Sequence, residues 1–500
     1  MTPATNDVVV AGAGPVGLTL SILLAQRGHA VTILERQPEP YPLPRAVHFD
    51  YEVGRIFQSA GIGPELAEIS EPADIYEWRN REGTTLLRLG RVGMGPSGWP
   101  LSSMFHQPTL DAVLERRAHA LGVDIRRGYA VTDFSQHHDV VAVATDDARV
   151  VDGRYLVGCD GANSTVRTLL DVPMTELGFF HDWLVVDAVL HDNRVFEPLN
   201  LQICDPARPT TAVSGGPGRR RWEFMRLEHE TPDELETRVW ELLEPWDVRP
   251  DNARVERLAM YTFGARYAAR WRHGRILLAG DAAHQMPPFA GQGMCAGIRD
   301  AANLAWKLDL VLTGKAGDAL LDSYEQERLP SARQAIEFSI GLGKVICVPD
   351  PSDAAARDDA MAPLVAAAPS DAPPPPGITD GVIDADSPQA GTLFVQGAVN
   401  GRRFDDVHGG GWRLVTIDPA PVDLDPATGE WFASIGGTVV TVAGDEVYRR
   451  WFTEHNATAA LQRPDFHLYG TATSAAGAAT LVEHLRTRLA NQPARQGALL

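Results

Sequence analysis

The run Val8-Val-Val-Ala-Gly12-Ala-Gly14-Pro15-Val-Gly17 constrains this chain more than any other segment. A short apolar strand leads straight into Gly12-x-Gly14-x-x-Gly17, an apolar helix follows as far as Gly28, and a second apolar run, Val31–Leu34, closes in Glu35. Each glycine has its own reason. Gly12 permits the tight turn out of the strand, Gly14 lets a pyrophosphate approach the main chain, and Gly17 allows helix and strand to pack closely. The helix N-terminus, with its free N–H groups and positive dipole end, then faces the phosphates. Glu35 falls about 20 residues on, where a ribose hydroxyl is held. A merely structural Gly-rich turn needs none of these neighbours. Glu35 suits an unphosphorylated ribose, although Arg36 beside it blurs that distinction.

At 500 residues the chain exceeds one ordinary core, so two or three domains are expected. The 44% hydrophobic and 22% charged fractions are those of a soluble globular protein. A formal net charge of −20 argues against nucleic acid and against an anionic membrane surface. No apolar run is long enough to span a bilayer, and the N-terminus lacks the layout of a secretion signal, so a cytoplasmic location is expected. Cys159, Cys204, Cys295 and Cys347 show neither CxxC spacing nor a paired His motif, so neither a metal site nor a disulfide framework is indicated.

Composition shifts once, between about Ala354 and Ala390, where Ala, Pro, Asp and Gly accumulate and the run Pro373–Pro376 lies. That stretch reads as a linker or exposed crossover. Beyond it, residues 391–490 can form a small domain with strand-like runs at Trp412–Ile417 and Thr438–Val442 and a closing helix around Ala475–Leu489. In the first 350 residues, helical spacing marks Leu18–Gln26, Pro108–Leu121 and Ala296–Leu312, while strand-like alternation dominates Ile75–Leu89 and Trp183–Phe263. The pattern is α/β: a nucleotide-binding domain of residues 1–74, 101–178 and 265–353, with a mainly antiparallel insertion of residues 75–100 and 179–264.

Two further segments sharpen the reading. One is Leu156-Val-Gly-Cys-Asp160-Gly161-Ala-Asn-Ser164-Thr-Val-Arg167; the other is Gly274-Arg-Ile-Leu-Leu-Ala-Gly280-Asp281-Ala-Ala-His284-Gln-Met-Pro287-Pro288-Phe-Ala-Gly291-Gln-Gly293-Met294. With the glycine motif, they make the chain resemble the single-component (group A) FAD-dependent aromatic hydroxylases. Leu43-Pro-Arg45-Ala-Val-His48-Phe-Asp50 and Gly297-Ile-Arg-Asp-Ala-Ala-Asn303-Leu-Ala-Trp-Lys307 are similar to phrases of the 3-(3-hydroxyphenyl)propionate and phenol hydroxylases. The resemblance implies a Rossmann-like FAD-binding domain, an inserted β domain for the substrate and a C-terminal thioredoxin-like domain. With no cysteine after Cys347, that last domain cannot carry out thiol–disulfide exchange.

The resemblance also implies a chemistry: NADH or NADPH docks transiently, FAD is reduced, O2 is taken up, and a flavin C4a-hydroperoxide hydroxylates a small phenol. It places Gly12, Gly14, Pro15, Gly17, Glu35, Arg36, Arg45, Gln107, Asp160, Asp281, Pro288, Gly291, Gly293 and Met294 at the FAD. Asp281 can accept from ribityl hydroxyls or cap the following helix. The helix opened by Gly291, Gly293 and Met294 can turn its positive end to the flavin pyrimidine edge. A phenol loses its proton only near pH 10 unless assisted, so a histidine base is sought among His48, His106, His181 and His284, with His48 first. The Pro288 carbonyl is a second candidate for meeting a substrate hydroxyl. Phe179, Phe180, Trp183, Trp222, Phe224 and Tyr261 are spaced to face one side of a sheet, and Trp222 and Tyr261 are the expected ring contacts.

Two other readings use the same cofactor motifs. One is a flavin oxygenase that epoxidises a polyketide or antibiotic or inserts oxygen into it. The other is a flavin-binding redox module without oxygenase activity. Small-molecule partners and a homodimer complete the expectation.

Overall fold

The computed structural model describes residues 6–490 except 91, 193, 366–369, 372, 400, 419–421 and 443. The first layer is an eight-stranded mixed sheet with a parallel centre. Strand β1 (Asn6–Ala11), helix α1 (Pro15–Ala25) and strand β2 (Val31–Glu35) form the opening βαβ unit, and β1 is fully inside the core from Val8 to Ala11. Gly12 has φ +104°, and a Cβ there would meet the Cys159 carbonyl oxygen at 2.5 Å. A Cβ at Gly17 would lie 2.1 Å from the Gly12 carbonyl oxygen, so only glycine lets α1 press against the turn. Proline at the first turn starts α1, but no side chain caps it, which leaves its N–H groups open.

Strand β3 (His48–Asp50) and helix α2 (Tyr51–Ser59) follow, with Asp50 capping α2 through the N–H groups of Glu52 and Val53. Gly54 lies inside α2, where a Cβ would strike the Trp99 ring at 2.8 Å. Next come β4 (Ile75–Arg79), helix α3 (Gln107–Ala120) and β5 (Val150–Gly158). Strand β5 pairs in parallel with β1, completing the nucleotide-binding edge.

The second layer is a nine-stranded, largely antiparallel sheet. Its longest strand is β6 (Met174–Leu190), with β7 (Asn200–Ile203), β8 (Thr210–Ser214), β9 (Arg219–Met225) and β10 (Ala253–Ala268). The chain then returns to the first sheet through β11 (Ile276–Leu278), which pairs in parallel with β5. Helix α4 (Gly293–Leu312) leaves from there, followed by α5 (Asp322–Ile346).

The Ala/Pro-rich stretch expected as a linker is helical over α6 (Pro351–Val365). Its alanines favour helix, and Asp350 accepts from the Ser352 and Asp353 N–H groups at its start, so the low apolar content did not prevent local order. The C-terminal unit runs β12 (Arg413–Thr416), α7 (Pro426–Ser434), β13 (Thr438–Thr441), α8 (Glu446–Glu454), β14 (Ala459–Gln462), β15 (Leu468–Ala472) and α9 (Ala475–Ala490). Its strand order is β13-β12-β14-β15, with β12 and β13 parallel and the other neighbours antiparallel.

This unit is joined to α2, α4 and α5 by buried ion pairs. Arg55 gives both Nε and Nη2 to Asp405, and Arg463 bridges Asp465 and Glu327 with single N–O distances of 2.7 Å to each. Lys307 donates to the same Glu327 oxygen at 2.8 Å. No helix among the described residues is long and apolar enough to cross a membrane.

Candidate active site

Two cavities share the walls formed by Gly14, Pro15, Arg45, Gln107, Cys159 and Gly161 and so make one trench. The smaller part, about 270 Å³, runs over the Gly12–Gly17 turn to Glu35, Arg36 and Asp160. The larger part, about 370 Å³, passes Asp281 and the 288–294 loop and ends on the antiparallel sheet.

The trench has the features a dinucleotide requires. A Cβ built on Gly14 finds no protein atom within 4 Å, so the floor beneath the α1 N-terminus is open. Glu35 closes one end, its carboxylate accepting from the Ala13 and Gln37 N–H groups at 2.9 and 2.8 Å. Asp281 lies in the turn Gly280–Ala282 and opens onto the cavity, and its carboxylate has no hydrogen-bond partner among the described residues. It therefore does not cap the turn and is available to sugar-alcohol hydroxyls. Burial of its surroundings raises its pKa, with His284 and Arg45 opposing. At the far end, α4 also begins without a side-chain cap, presenting the N–H groups near Gly293 and Met294 to the cavity.

The groups around the trench hold each other in place. Gln107 Oε1 accepts from the Arg45 and Ala46 N–H groups at 3.1 and 2.7 Å, so this side chain fixes the Arg45 segment. The Arg45 guanidinium stacks 4.5 Å from the Tyr41 ring centroid. Asp160 caps the turn after β5, accepting from Ser164 Oγ and from the Val166 N–H at 3.0 Å. Gly291 has φ +67°, and a Cβ there would sit 2.8 Å from His48 Nδ1, so the loop passes directly over that ring. His48 Nδ1 lies 3.1 Å from the Gly291 carbonyl oxygen, a contact that requires Nδ1 to carry the hydrogen.

Of the four candidate histidines, His48 alone lines the trench. His284 is fully buried against Trp271 and bonds Asp300 at 2.7 Å. His106 pairs with Thr109, and the His181 ring packs against Phe179. Pro288 borders the cavity, but its carbonyl accepts from the Gly291 N–H at 2.8 Å and closes the loop on itself.

Trp222 is not a ring contact. It is fully buried on the opposite face of β9, against Phe196 and Trp246. Alternation along the strand explains this: Trp222 and Phe224 face the helical layer, which leaves Arg221 and Glu223 toward the cavity. Tyr261 does line the cavity, with the Arg257 guanidinium 5.0 Å from its ring centroid. Phe179 and Trp183 instead pack against Phe289 as core.

The sheet wall of the cavity carries polar groups that sequence reasoning missed. Arg221 is bidentate to Asp187 at 2.7 and 3.0 Å, and its other N–H groups reach the carbonyls of Pro44 and Arg45. Glu223 is buried beside it, and desolvation pushes its carboxyl up to about 7 against the pull of Arg221. The signal was present in part: Arg219-Arg-Arg-Trp-Glu-Phe-Met places charges at 219, 221 and 223, on the face opposite Trp222 and Phe224, although Arg220 breaks the alternation.

A family model described as an FAD binding domain matches residues 5–339. The chain belongs to that FAD-binding family. It is 39% identical over 525 residues to a probable NADH-specific resorcinol 4-hydroxylase of Rhodococcus jostii (strain RHA1), covering 98% of this chain and 96% of that one. It is 35% identical over 521 residues to a 3-(3-hydroxy-phenyl)propionate/3-hydroxycinnamic acid hydroxylase of Mycobacterium sp. (strain JLS), covering 93% and 90%. Among solved structures, an aklavinone-11 hydroxylase in complex with FAD and aklavinone matches with a TM-score of 0.78 at 26% identity, over 98% of this chain and 99% of that one. The flavin-dependent monooxygenase PieE, at 22% identity and a TM-score of 0.82, shares the fold over 98% and 99%.

Membership in this family and the open carboxylate of Asp281 lead to a first prediction. Asp281→Ala removes an acceptor for the ribityl chain, so FAD affinity, measured by fluorescence titration of the apoprotein, is expected to fall by roughly tenfold or more. Unchanged affinity would show that the carboxylate does not meet the cofactor.

Proposed function

We propose that this FAD-binding protein is an NADH-dependent monooxygenase that hydroxylates a small, uncharged phenol. The observation that carries the reading is the larger cavity, which joins the dinucleotide trench to a wall of Tyr261, Phe263, Val213 and buried polar groups. At about 370 Å³, part of it beside the 288–294 loop, it suits one aromatic ring more than a multi-ring polyketide. Arg221 and Arg257 border it, but Arg221 is paired with Asp187 and both donate to the Pro44 carbonyl, so neither is presented as an open clamp for a substrate carboxylate. The names of the hydroxylases that it resembles support a phenolic substrate, and that of the Rhodococcus protein supports NADH.

FAD, when bound and reduced, supplies the activation of O2. The chain's own residues do the rest. The α1 N-terminus and Glu35 hold the nucleotide half, Asp281 the sugar alcohol, and the α4 N-terminus offers N–H groups and a positive dipole end to the electron-rich edge of the ring system. We assign His48 to holding the Gly291 loop, through the Nδ1–H that meets its carbonyl. Tyr261, Phe263 and Val213 on the cavity wall shield the reacting ring from water. The βαβαββα order of the C-terminal unit supports a thioredoxin-like fold, and without a cysteine after Cys347 its role is structural.

The test is a panel of neutral phenols and phenolic acids, each scored for stimulated NADH and NADPH oxidation by the FAD-loaded enzyme. Stimulation by neutral phenols ahead of phenolic acids is expected. Equal indifference to every phenol would reject the reading.

A further inference from the structure

Glu223 has no task in the scheme so far, yet it sits in the cavity wall at the head of an ordered row of polar groups. In the sheet register it lies opposite Thr211 on β8, and Thr211 lies opposite Gln202 on β7. Thr211 Oγ1 donates to Gln202 Oε1 at 2.7 Å, and Gln202 Nε2 donates to the Tyr76 hydroxyl. All four residues line the cavity. Thr211 has a single hydroxyl hydrogen and gives it to Gln202. That hydroxyl also faces Glu223, where its contact favours the ionised carboxyl, so the same hydrogen can turn from Gln202 to Glu223. An ionised Glu223 would draw the Thr211 hydrogen to itself and leave Gln202 Oε1 without it.

Charged groups from three strands surround Glu223. Arg221 lies 3.9 Å away on the same strand, Asp187 faces it from β6, and Arg257 faces it from β10, which also carries Tyr261. Two guanidinium groups against one aspartate leave a surplus positive charge once Glu223 is neutral, and that surplus favours an anion in the adjoining cavity.

We propose that Glu223 is the base that takes the proton of the substrate's ring hydroxyl, an inference that rests on the phenol-hydroxylase reading above. The substrate O–H bond breaks, a Glu223 O–H bond forms, and the electron pair stays on the ring oxygen, where it enriches the ring for attack. The Thr211 hydrogen, no longer drawn to a carboxylate, then rests on Gln202, which donates to Tyr76. The charge of the substrate oxygen is met by the surplus on the Arg221–Arg257–Asp187 cluster. A group that titrates near 7 is matched to this work, because it is ionised enough to accept and basic enough to pull. Since the base must be ionised, hydroxylation is lost as pH falls through that value.

The experiment uses the FAD-loaded full chain with the phenol panel, including resorcinol, and measures hydroxylated product formed per NADH oxidised as a function of pH. In the wild type the ratio is expected to fall on the acid side of about 7. In Glu223→Gln it is expected to be about a hundredfold lower at neutral pH, to lack that inflection, and to recover as pH rises toward the phenol's own pKa of about 10. Glu223→Asp, which keeps the charge but withdraws it, is expected to lower the ratio by roughly tenfold while retaining an acid inflection. A Gln variant with the wild-type ratio and inflection overturns the assignment. If that variant does not retain FAD, the Asp variant decides, and a wild-type ratio there overturns it equally. A wild-type enzyme that hydroxylates none of the panel counts against the phenol reading itself, which separates the two failures.

Discussion

Gly14→Val is expected to yield a folded protein that retains less than about a tenth of its FAD. The side chain meets no protein atom, since a Cβ at Gly14 has nothing within 4 Å, and it projects instead into the trench at the α1 N-terminus. A pyrophosphate held there by main-chain N–H groups would lose at least two charge-assisted hydrogen bonds of about 1.5–3 kcal/mol each, which is more than a hundredfold in affinity. Absorbance of the purified variant reports the FAD content, and its unfolding midpoint should match that of FAD-stripped wild type. Gly17→Ala should behave differently. Its Cβ would lie 2.1 Å from the Gly12 carbonyl oxygen, so the βαβ unit itself must shift and soluble protein should be lost. Full FAD occupancy in Gly14→Val would place the phosphates elsewhere.

The second large effect concerns stability. Glu327 is fully buried and gathers Lys307, Arg463 and Asn303 on one oxygen at 2.8, 2.7 and 2.7 Å, with the Val382 N–H on the other at 2.7 Å. Removing it by Glu327→Ala leaves Lys307 buried without a carboxylate and Arg463 with Asp465 alone, a loss of about 3–5 kcal/mol. Urea unfolding should show the midpoint lowered accordingly, and a wild-type midpoint would mean that the network contributes little. Burial alone would raise the Glu327 pKa, but Arg463 and Lys307 together hold it down at about 2. A depressed carboxyl contributes stability that is fully present above its unfolded pKa of about 4.3 and is lost as pH falls through about 2. The wild type should therefore lose more stability than Glu327→Ala across that acid window.

The nucleotide half of the molecule was legible because its requirements are local. Gly12, Gly14, Gly17, Glu35 and Asp281 act through the backbone turn or the strand end on which they sit, and the sequence shows both. Helix positions followed apolar spacing closely: Leu18–Gln26, Pro108–Leu121 and Ala296–Leu312 overlap α1, α3 and α4. The substrate wall depends on strand pairing and face, which a one-residue change of phase inverts. Trp222 was assigned to the cavity by its aromatic character, and the phase of β9 turns it away and brings Glu223 in. Gln202, Thr211 and Tyr76 come from three strands and meet only in the folded register, so no spacing in the chain could have joined them. His284 shows the limit of proximity in the chain: it follows Asp281 closely, yet its ring turns into the core to meet Asp300, in line with a packing role.

The central claim, that this trench and cavity join FAD, O2 and a phenol in one hydroxylation, is tested most directly with isotopically heavy dioxygen. The FAD-loaded enzyme is given NADH, a neutral phenol that stimulates NADH oxidation, and the labelled gas, and the product is weighed by mass spectrometry. One heavy oxygen atom on the ring for each phenol converted is expected. Phenol recovered unchanged while NADH is consumed and only labelled hydrogen peroxide accumulates, or a hydroxylated product whose new oxygen comes from water, would contradict it.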